Sequence, residues 1–151
     1  TRSSAASDVY KRQVFDNDIY GNGTVNLSIV TYGYETEDEN YNPHPKSIQI
    51  HGNRFGDGGF DPDVGTGELA AILFELSDGD MPDIFWDGIL PTSQMIFGQP
   101  DEERLLITNN GNATFLTLNP IKYILPFFDP VERDIKAYEG KVRPLPEVIL
   151  N

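Results

Sequence analysis

Two ten-residue stretches decide the fold: VFDNDIYGNG at residues 14–23 and IHGNRFGDGG at residues 50–59. Each contains an aliphatic residue, two further residues, an Asn, one residue, a large apolar residue and then a turn rich in Gly, Asn and Asp. A short apolar segment that runs into such a turn is typical of a β-strand. Because the pattern recurs within one chain, it predicts stacked, repeating β-structure.

Two further segments are interpreted as copies of the same pattern, IFWDGI at residues 84–89 and ITNNGNATF at residues 107–115. The copies start at residues 14, 50, 84 and 107, which gives spacings of 36, 34 and 23 residues. Irregular spacing favours a coil with loops inserted at its turns, where closing a longer loop costs little extra free energy. The sequence therefore predicts about four rungs, with a shortest rung near 23 residues.

The Asn or Asp at a fixed place in each copy has a physical explanation. At a bend between short strands, Asn tolerates left-handed backbone geometry and hydrogen-bonds the local backbone. Stacked strands lie about 4.8 Å apart, so equivalent amides can bond one another. The alternative is four separate turns that share only their Asn, Asp and Gly content. The predicted ladder consists of Asn17, Asn53, Asp87 and Asn110, and the predicted interior stack of Ile19, Phe55 and Ile89.

Four phrases in this order carry a family resemblance. They are VFDNDIYGNGTVNLSIVTYG, NPHPKSIQIHGNRFGDGGFDPD, MPDIFWDGIL and ERLLITNNGNATFLTLN. Together they resemble the C-terminal part of bacterial right-handed parallel β-helix repeat proteins of the pectin-lyase-like superfamily. The resemblance implies an all-β fold, a right-handed parallel β-helix that is N-terminally truncated and carries long loop insertions, one short helix and a C-terminal capping segment. It also implies a periplasmic, outer-membrane-attached or extracellular location. The chain departs from the family in having no Cys before its closing PLP segment.

Three regions are predicted along the chain. Residues 3–13, SSAASDVYKRQ, back-translate into a transposase-type sequencing-library adapter, so residues 1–13 are predicted to be a non-native, poorly packed scar. Residues 14–118 are predicted to form the rungs. Residues 119–151 are predicted to form the C-terminal cap and an extended tail, with KYILPFFDP plugging the open end of the coil.

Composition excludes several classes of partner. The formal charge is −13, or −15 without the scar, which argues against binding nucleic acid. There is no Cys, so disulfides and thiolate chemistry are excluded. No apolar run approaches the ~18 residues of a membrane span.

Two insertions carry candidate sites. The first holds Glu35, Glu37, Asp38 and Glu39, a pattern typical of a solvated acidic loop. The second has apolar residues at 69, 72, 73 and 76, which predicts a short helix over Glu68–Leu76 with that stripe against the coil. Aspartates flank the helix, and carboxylate oxygens are ligands that Ca²⁺ prefers. Ca²⁺ is therefore the one candidate cofactor, with capping and turn formation as the alternative role of these residues. The candidate ligands are Asp61, Asp63, Asp78, Asp80 and Asp83.

Function follows mainly from the resemblance. Lyases of the superfamily use Ca²⁺ with an Arg or Lys base, and its glycosidases use paired Asp residues. Here His51 and Arg54 are candidates for binding an acidic sugar, and Trp86 with Tyr32 for stacking on a sugar; surface and packing roles are the alternatives. The leading hypothesis is a structural scaffold that binds a polysaccharide or a periplasmic protein, without catalysis in this chain. The alternative is a polysaccharide lyase or glycoside hydrolase whose catalytic rungs lie mainly upstream; candidate catalytic carboxylates would then be Asp61, Asp63, Asp83 and Asp87.

Overall fold

The computed structural model of the protein describes residues 12–33, 41–125 and 127–144. These residues form nine short strands and a few short helices. The strands are β1 (Arg12–Phe15), β2 (Asp18–Ile19), β3 (Leu27–Ile29), β4 (Ile48–His51), β5 (Arg54–Phe55), β6 (Ile84–Trp86), β7 (Leu106–Thr108), β8 (Phe115–Leu118) and β9 (Val131–Glu132). The helices are α1 (Glu68–Leu76), α2 (Thr92–Phe97), α3 (Pro120–Ile124) and a 3-10 helix at Ile135–Tyr138.

The strands pair in parallel across long separations in sequence. One sheet has the order β1-β4-β7, with Val14, Ile50 and Ile107 as register partners. A second has the order β3-β6-β8, with Leu27, Ile84 and Phe115 in register, and β9 adds to β8 antiparallel. A third consists of β2 and β5. The described part of the chain is thus sheet-rich with few helices, and these residues contain no closed barrel.

The expected four-copy repeat is wrong in one copy. Ile84 does not follow Ile50 in the same sheet, because β4 pairs directly with β7. Ile84 instead pairs with Leu27 and Phe115 in the β3-β6-β8 sheet. Within the described residues, the parallel stacks therefore hold three strands at most rather than four. The interior stack is likewise partial, because Ile19 and Phe55 are register partners whereas Ile89 is 39% exposed.

Two apolar clusters lie on opposite sides of the β3-β6-β8 sheet. The first contains Ile50, Ile84 and Ile107, with Trp86 and Phe115. The second contains Leu73 of α1 with Phe85 and Leu116. A strand buried on both faces reads as a continuous apolar run, which explains the IFW of β6.

Helix α1 occupies the predicted residues, Glu68–Leu76. Its predicted buried stripe is confirmed at Leu73, which is 1% exposed, but is wrong at Leu69 and Ile72, which are 45% and 46% exposed. Ala70, outside the predicted stripe, is buried as well. The helix packs on the sheet through Leu73, which lies against Phe85 and Leu116.

The C-terminal region covers one end of the sheets, although not with the predicted residues. Tyr138 lies edge-on to Trp86 and to Phe115, with ring centroids 5.6 and 4.9 Å apart. In the predicted plug, by contrast, Ile124 and Phe127 are 79% and 91% exposed. The chain turns outward here, because α3 starts at the Asn119 cap and β9 must return to pair with β8.

The tail beyond the 3-10 helix runs back over the β1-β4-β7 sheet. The backbone N–H of Arg143 donates to Gln49 Oε1 at 2.5 Å, and its carbonyl accepts from Gln49 Nε2 and Gln13 Nε2. Arg12 and Gln13 are strand residues of β1 rather than part of an unpaired scar. Residues 1–11, the acidic residues Glu35, Glu37, Asp38 and Glu39, and residues 145–151 lie outside the described residues. Among the described helices, none has the length and hydropathy that crossing a bilayer requires.

Candidate functional site

Three Asn side chains form a hydrogen-bonded ladder at the bend between two sheets. Asn17 Nδ2 donates to Asn53 Oδ1 at 3.1 Å, and Asn53 Nδ2 donates to Asn110 Oδ1 at 3.0 Å. Each accepting oxygen also takes the backbone N–H of the Asn before it in the stack, at 3.1 Å in both cases. Asn53 is 2% and Asn110 6% exposed. The ladder therefore fixes the bend and the direction of the side chains that follow it.

Asp87, the fourth predicted member, does not join this ladder. Its carboxylate accepts the backbone N–H of Thr31 at 2.5 Å and that of Ile89 at 3.1 Å. It thus ends strand β6 in the other sheet. Asp87 resembles the ladder residues in sequence because a carboxylate and an amide oxygen accept turn N–H groups equally well. The local sequence therefore does not indicate which sheet the preceding strand belongs to.

Just before the Asn ladder, an exposed ring on strand β1 meets a partly buried ring on strand β4. Phe15 and His51 are register partners, and their rings stack with centroids 5.2 Å apart and planes 4° apart. His51 Nε2 is 3.1 Å from Gln13 Oε1, which holds the imidazole against the sheet. His51 is one of the two residues predicted to bind an acidic sugar. Its partner is an aromatic ring and an amide, however, rather than a catalytic group.

Arg54 lies beyond the bend and is paired with Asp18. Two nearly parallel bonds join them, Nε to Oδ1 at 2.5 Å and Nη2 to Oδ2 at 2.6 Å. The Arg54 hydrogen bonds lower the pKa of the Asp18 carboxyl, and the same bonds raise the pKa of Arg54. Arg54 thus lies at the surface with one carboxylate on its guanidinium fork, and its binding of an acidic sugar stays a prediction.

Two exposed aromatic rings follow the ion pair and flank a shallow cleft of about 520 Å³. Tyr20 is 69% and Phe60 66% exposed, and Asp57 also lines the cleft. Tyr20 lies over Gly56, where an added Cβ would come 3.1 Å from the Tyr20 Cβ. The cleft floor includes Gly21, whose φ of +76° favours glycine.

We call the set Phe15, His51, Tyr20 and Phe60 the aromatic strip. It offers apolar ring faces beside hydrogen-bonding groups, a combination that suits a ligand with C–H and O–H groups. Sequence reasoning missed Tyr20 and Phe60. The signal that could have found them is their position, since Tyr20 comes directly before a Gly-rich turn and Phe60 directly after one.

Trp86 and Tyr32 do not form the predicted sugar platform. Trp86 is 5% exposed and belongs to the core beside Tyr138. Tyr32 lies at the far end of β3, where its carbonyl accepts a hydrogen bond from the Tyr41 hydroxyl. Burial therefore makes Trp86 a packing residue.

The five candidate calcium ligands have separate structural roles. Asp63 accepts bonds from Thr66, Asp83 holds Thr114 through three short bonds, and Asp80 pairs with Arg133 at 3.3 Å. Asp78 has a positive φ of 54°, and the Asp61 backbone N–H bonds Gly23 O. In the part of the chain that the structure describes, no three His, Asp or Glu side chains converge as ligands for a metal ion. Calcium binding accordingly stays a prediction without a preformed set of ligands.

Comparisons with known proteins give no relative. No family model matches the chain, and neither a curated protein nor a solved structure is significantly similar to it.

Proposed function

We propose that this chain is a right-handed parallel β-helix scaffold that binds a carbohydrate chain on its outer surface, along the aromatic strip. The parallel ladders β1-β4-β7 and β3-β6-β8 support the scaffold. The observation that carries the binding proposal is the run of exposed rings, with Tyr20 and Phe60 about two-thirds exposed on turns anchored by strand pairing.

The chemistry of the aromatic strip favours a neutral sugar over an acidic one. The chain has a net charge of −13, which repels anionic ligands at long range. The nearest cation, Arg54, is already held by Asp18. Asp57 can accept hydroxyl hydrogen bonds between the two rings of the cleft.

A rigid surface is well suited to this role. The Asn ladder and the stacked Phe15–His51 pair fix the backbone on either side of the bend. Ordering a ligand on a preformed surface costs less free energy than ordering both partners. The proposal includes a location outside the cytoplasm, where polysaccharides are accessible.

Binding to a panel of neutral and acidic polysaccharides tests the proposal. We expect retention on a neutral polymer, and each of Tyr20→Ala and Phe60→Ala should weaken binding about 3- to 10-fold, since one aromatic contact contributes about 0.5–1.5 kcal/mol. Phe97→Ala removes a ring that is 86% exposed on α2 and should change nothing, which makes it the matched control.

Incubating the protein with the same polysaccharides distinguishes simple binding from the enzymatic alternative. A lyase or hydrolase would release unsaturated or new reducing ends, and we expect neither. Failure of the whole panel to bind, or equal losses in Phe97→Ala and Tyr20→Ala, would contradict the proposal.

A further inference from the structure

Two Asn–Gly pairs occur in the chain, Asn22–Gly23 and Asn110–Gly111. In such a pair the backbone nitrogen of the glycine can attack the side-chain carbonyl carbon of the asparagine. Glycine favours this attack, because it has no Cβ to obstruct the approach. The two pairs share this local chemistry, so a difference in their reactivity must come from the fold.

Asn110 is held in place by the Asn ladder. It is 6% exposed, and its Nδ2 donates to Ile50 O at 2.9 Å. Its Oδ1 accepts from Asn53 N at 3.1 Å and from Asn53 Nδ2 at 3.0 Å. Turning the amide toward Gly111 would break all three bonds at a buried position, where lost bonds are expensive. The fold therefore protects Asn110.

Asn22 holds its amide at the surface. Its Nδ2 donates to Tyr20 O at 3.4 Å and to Asn26 Oδ1 at 3.0 Å, and both bonds are exposed. Water can replace these partners when the amide turns toward Gly23. Among the described residues, none accepts a hydrogen bond from the Gly23 N–H, so this nitrogen is available to react.

The fold also requires the glycine at position 23. An added Cβ would lie 2.6 Å from Asp61 O, and Gly23 O accepts from Asp61 N at 3.0 Å. A larger residue would slow the attack on Asn22, but it would clash with the backbone at this close approach. The packing of the two turns therefore maintains the residue that makes Asn22 reactive.

We propose that Asn22 is a site of spontaneous deamidation, and that the reaction weakens ligand binding at the neighbouring cleft. The Gly23 nitrogen bonds to Asn22 Cγ and loses its proton, and Asn22 Nδ2 leaves as ammonia, which forms a cyclic imide. Water then opens the imide at either of its carbonyls and gives aspartate or isoaspartate. The net reaction consumes water and releases ammonia, and it needs no oxidant or reductant.

The part of this proposal that concerns binding rests on the proposed function. Asn22 pairs with Gly58, and its carbonyl accepts from Gly59 N at 2.9 Å. An isoaspartate carries the main chain through its side-chain carbon, so the Asn22 carbonyl becomes a free carboxylate and the pairing with Gly58 is lost. Because Gly58 lines the cleft together with Tyr20 and Phe60, the shape of the cleft changes.

Aspartate, the other product, disturbs the same turn. Asn26 Oδ1 accepts from Asn22 Nδ2, and a carboxylate at position 22 would place one acceptor against another. Asn26 cannot reverse its amide without losing its own Nδ2 bonds to Gly56 O at 2.8 Å and to Asp83 Oδ1 at 3.0 Å. Both products therefore act on the turn that follows Tyr20.

Peptide mapping of the full chain by mass spectrometry, after incubation in mildly alkaline buffer, tests the reaction. We expect the gain in mass that replaces NH2 by OH at Asn22, at a rate at least about tenfold that at Asn110, since three buried hydrogen bonds oppose the reaction there. In the control, the chain unfolded in urea, both sites should react at similar rates because both precede glycine. Equal rates in the folded protein, or no gain at Asn22, would overturn the proposal.

The variant Asn22→Gln supplies a second readout. It keeps the amide but must close a larger ring, which forms more slowly. The wild type should accumulate a form with one additional negative charge, separable by anion exchange, and Asn22→Gln should not; circular dichroism checks that the variant folds. Accumulation of this form in Asn22→Gln at the wild-type rate would refute the assignment to Asn22.

Binding of the separated forms to the neutral polysaccharide distinguishes this proposal from the proposed function. We expect the acidic form to bind about 3- to 10-fold more weakly than fresh protein, a loss similar to that of one aromatic contact. If fresh protein did not bind, the proposed function would fail, while the mass at Asn22 would still decide whether the site deamidates. Equal binding of the two forms would overturn the link between Asn22 and the cleft.

Discussion

Replacing Asn53 with alanine removes the centre of the Asn ladder. The Asn53 side chain donates to Val14 O at 2.9 Å and to Asn110 Oδ1 at 3.0 Å, and it accepts the Asn17 backbone N–H at 3.1 Å. A net hydrogen bond stabilises a fold by about 1 kcal/mol, so losing these three lowers the free energy of unfolding by about 3 kcal/mol. For a chain of this size the melting temperature should fall by about 6–12 °C.

Asn17→Ala is the matched control for this prediction. Asn17 occupies the exposed end of the ladder, and its amide donates to Phe15 O and to Asn53 Oδ1. Water can replace these partners, so the expected loss is about 1 kcal/mol or less.

Urea unfolding of both variants, followed by circular dichroism, measures the difference directly. The slope of the free energy against urea should match the wild type, because the surface exposed on unfolding is nearly the same. If Asn53→Ala and Asn17→Ala lost equal stability, the ladder would not hold the bend.

Three further predictions concern the contact of Tyr138 with the core, the close approach of Gly88 to Leu118 and the calcium hypothesis. Burial raises the pKa of the Tyr138 hydroxyl above 10.0, because the folded state favours its neutral form. The contribution of this group to the free energy of unfolding is therefore fully present below pH 10.0 and is lost as the pH rises further. Tyr138→Phe should reduce this alkaline loss in a pH series of melting temperatures. Gly88 has a φ of +68°, and an added Cβ would lie 1.8 Å from Leu118 O, so Gly88→Ala should destabilise the fold by about 3 kcal/mol or more in urea unfolding. If the aspartates that flank α1 bind Ca²⁺, a hundredfold excess of the ion over its Kd should raise the free energy of unfolding by about 2.7 kcal/mol, and a chelator should reverse the rise; an unchanged melting temperature would contradict the calcium hypothesis.

The parts of the fold that could be predicted are those where local chemistry is specific. Asn at a bend, three positions after an aliphatic residue, identified Asn17, Asn53 and Asn110, because few side chains can both adopt the bend and bond its neighbours. The limits of α1 were likewise predictable, since the apolar spacing starts after Gly67 and stops before Ser77.

The sheet to which a strand belongs and the segment that covers the core depend on contacts between distant parts of the chain. Short sequence patterns do not encode such contacts. Asp87 ends a strand as Asn53 does, yet it belongs to another sheet. An apolar run such as KYILPFFDP reports hydrophobicity but not position, while the covering contact comes from Tyr138 in a segment with no apolar run. The same limitation hid the aromatic strip, because Tyr20 and Phe60 have the composition of core residues and only the fold shows them exposed.

Coupling across backbone hydrogen bonds, measured by NMR on isotope-labelled protein, tests the parallel stacking most directly. We expect a coupling from Gly52 N to the Asn109 carbonyl and from Arg54 N to the Asn17 carbonyl. A coupling from Gly52 N to the chain around Trp86 would place β6 beside β4 and contradict the three-sheet arrangement on which the aromatic strip depends.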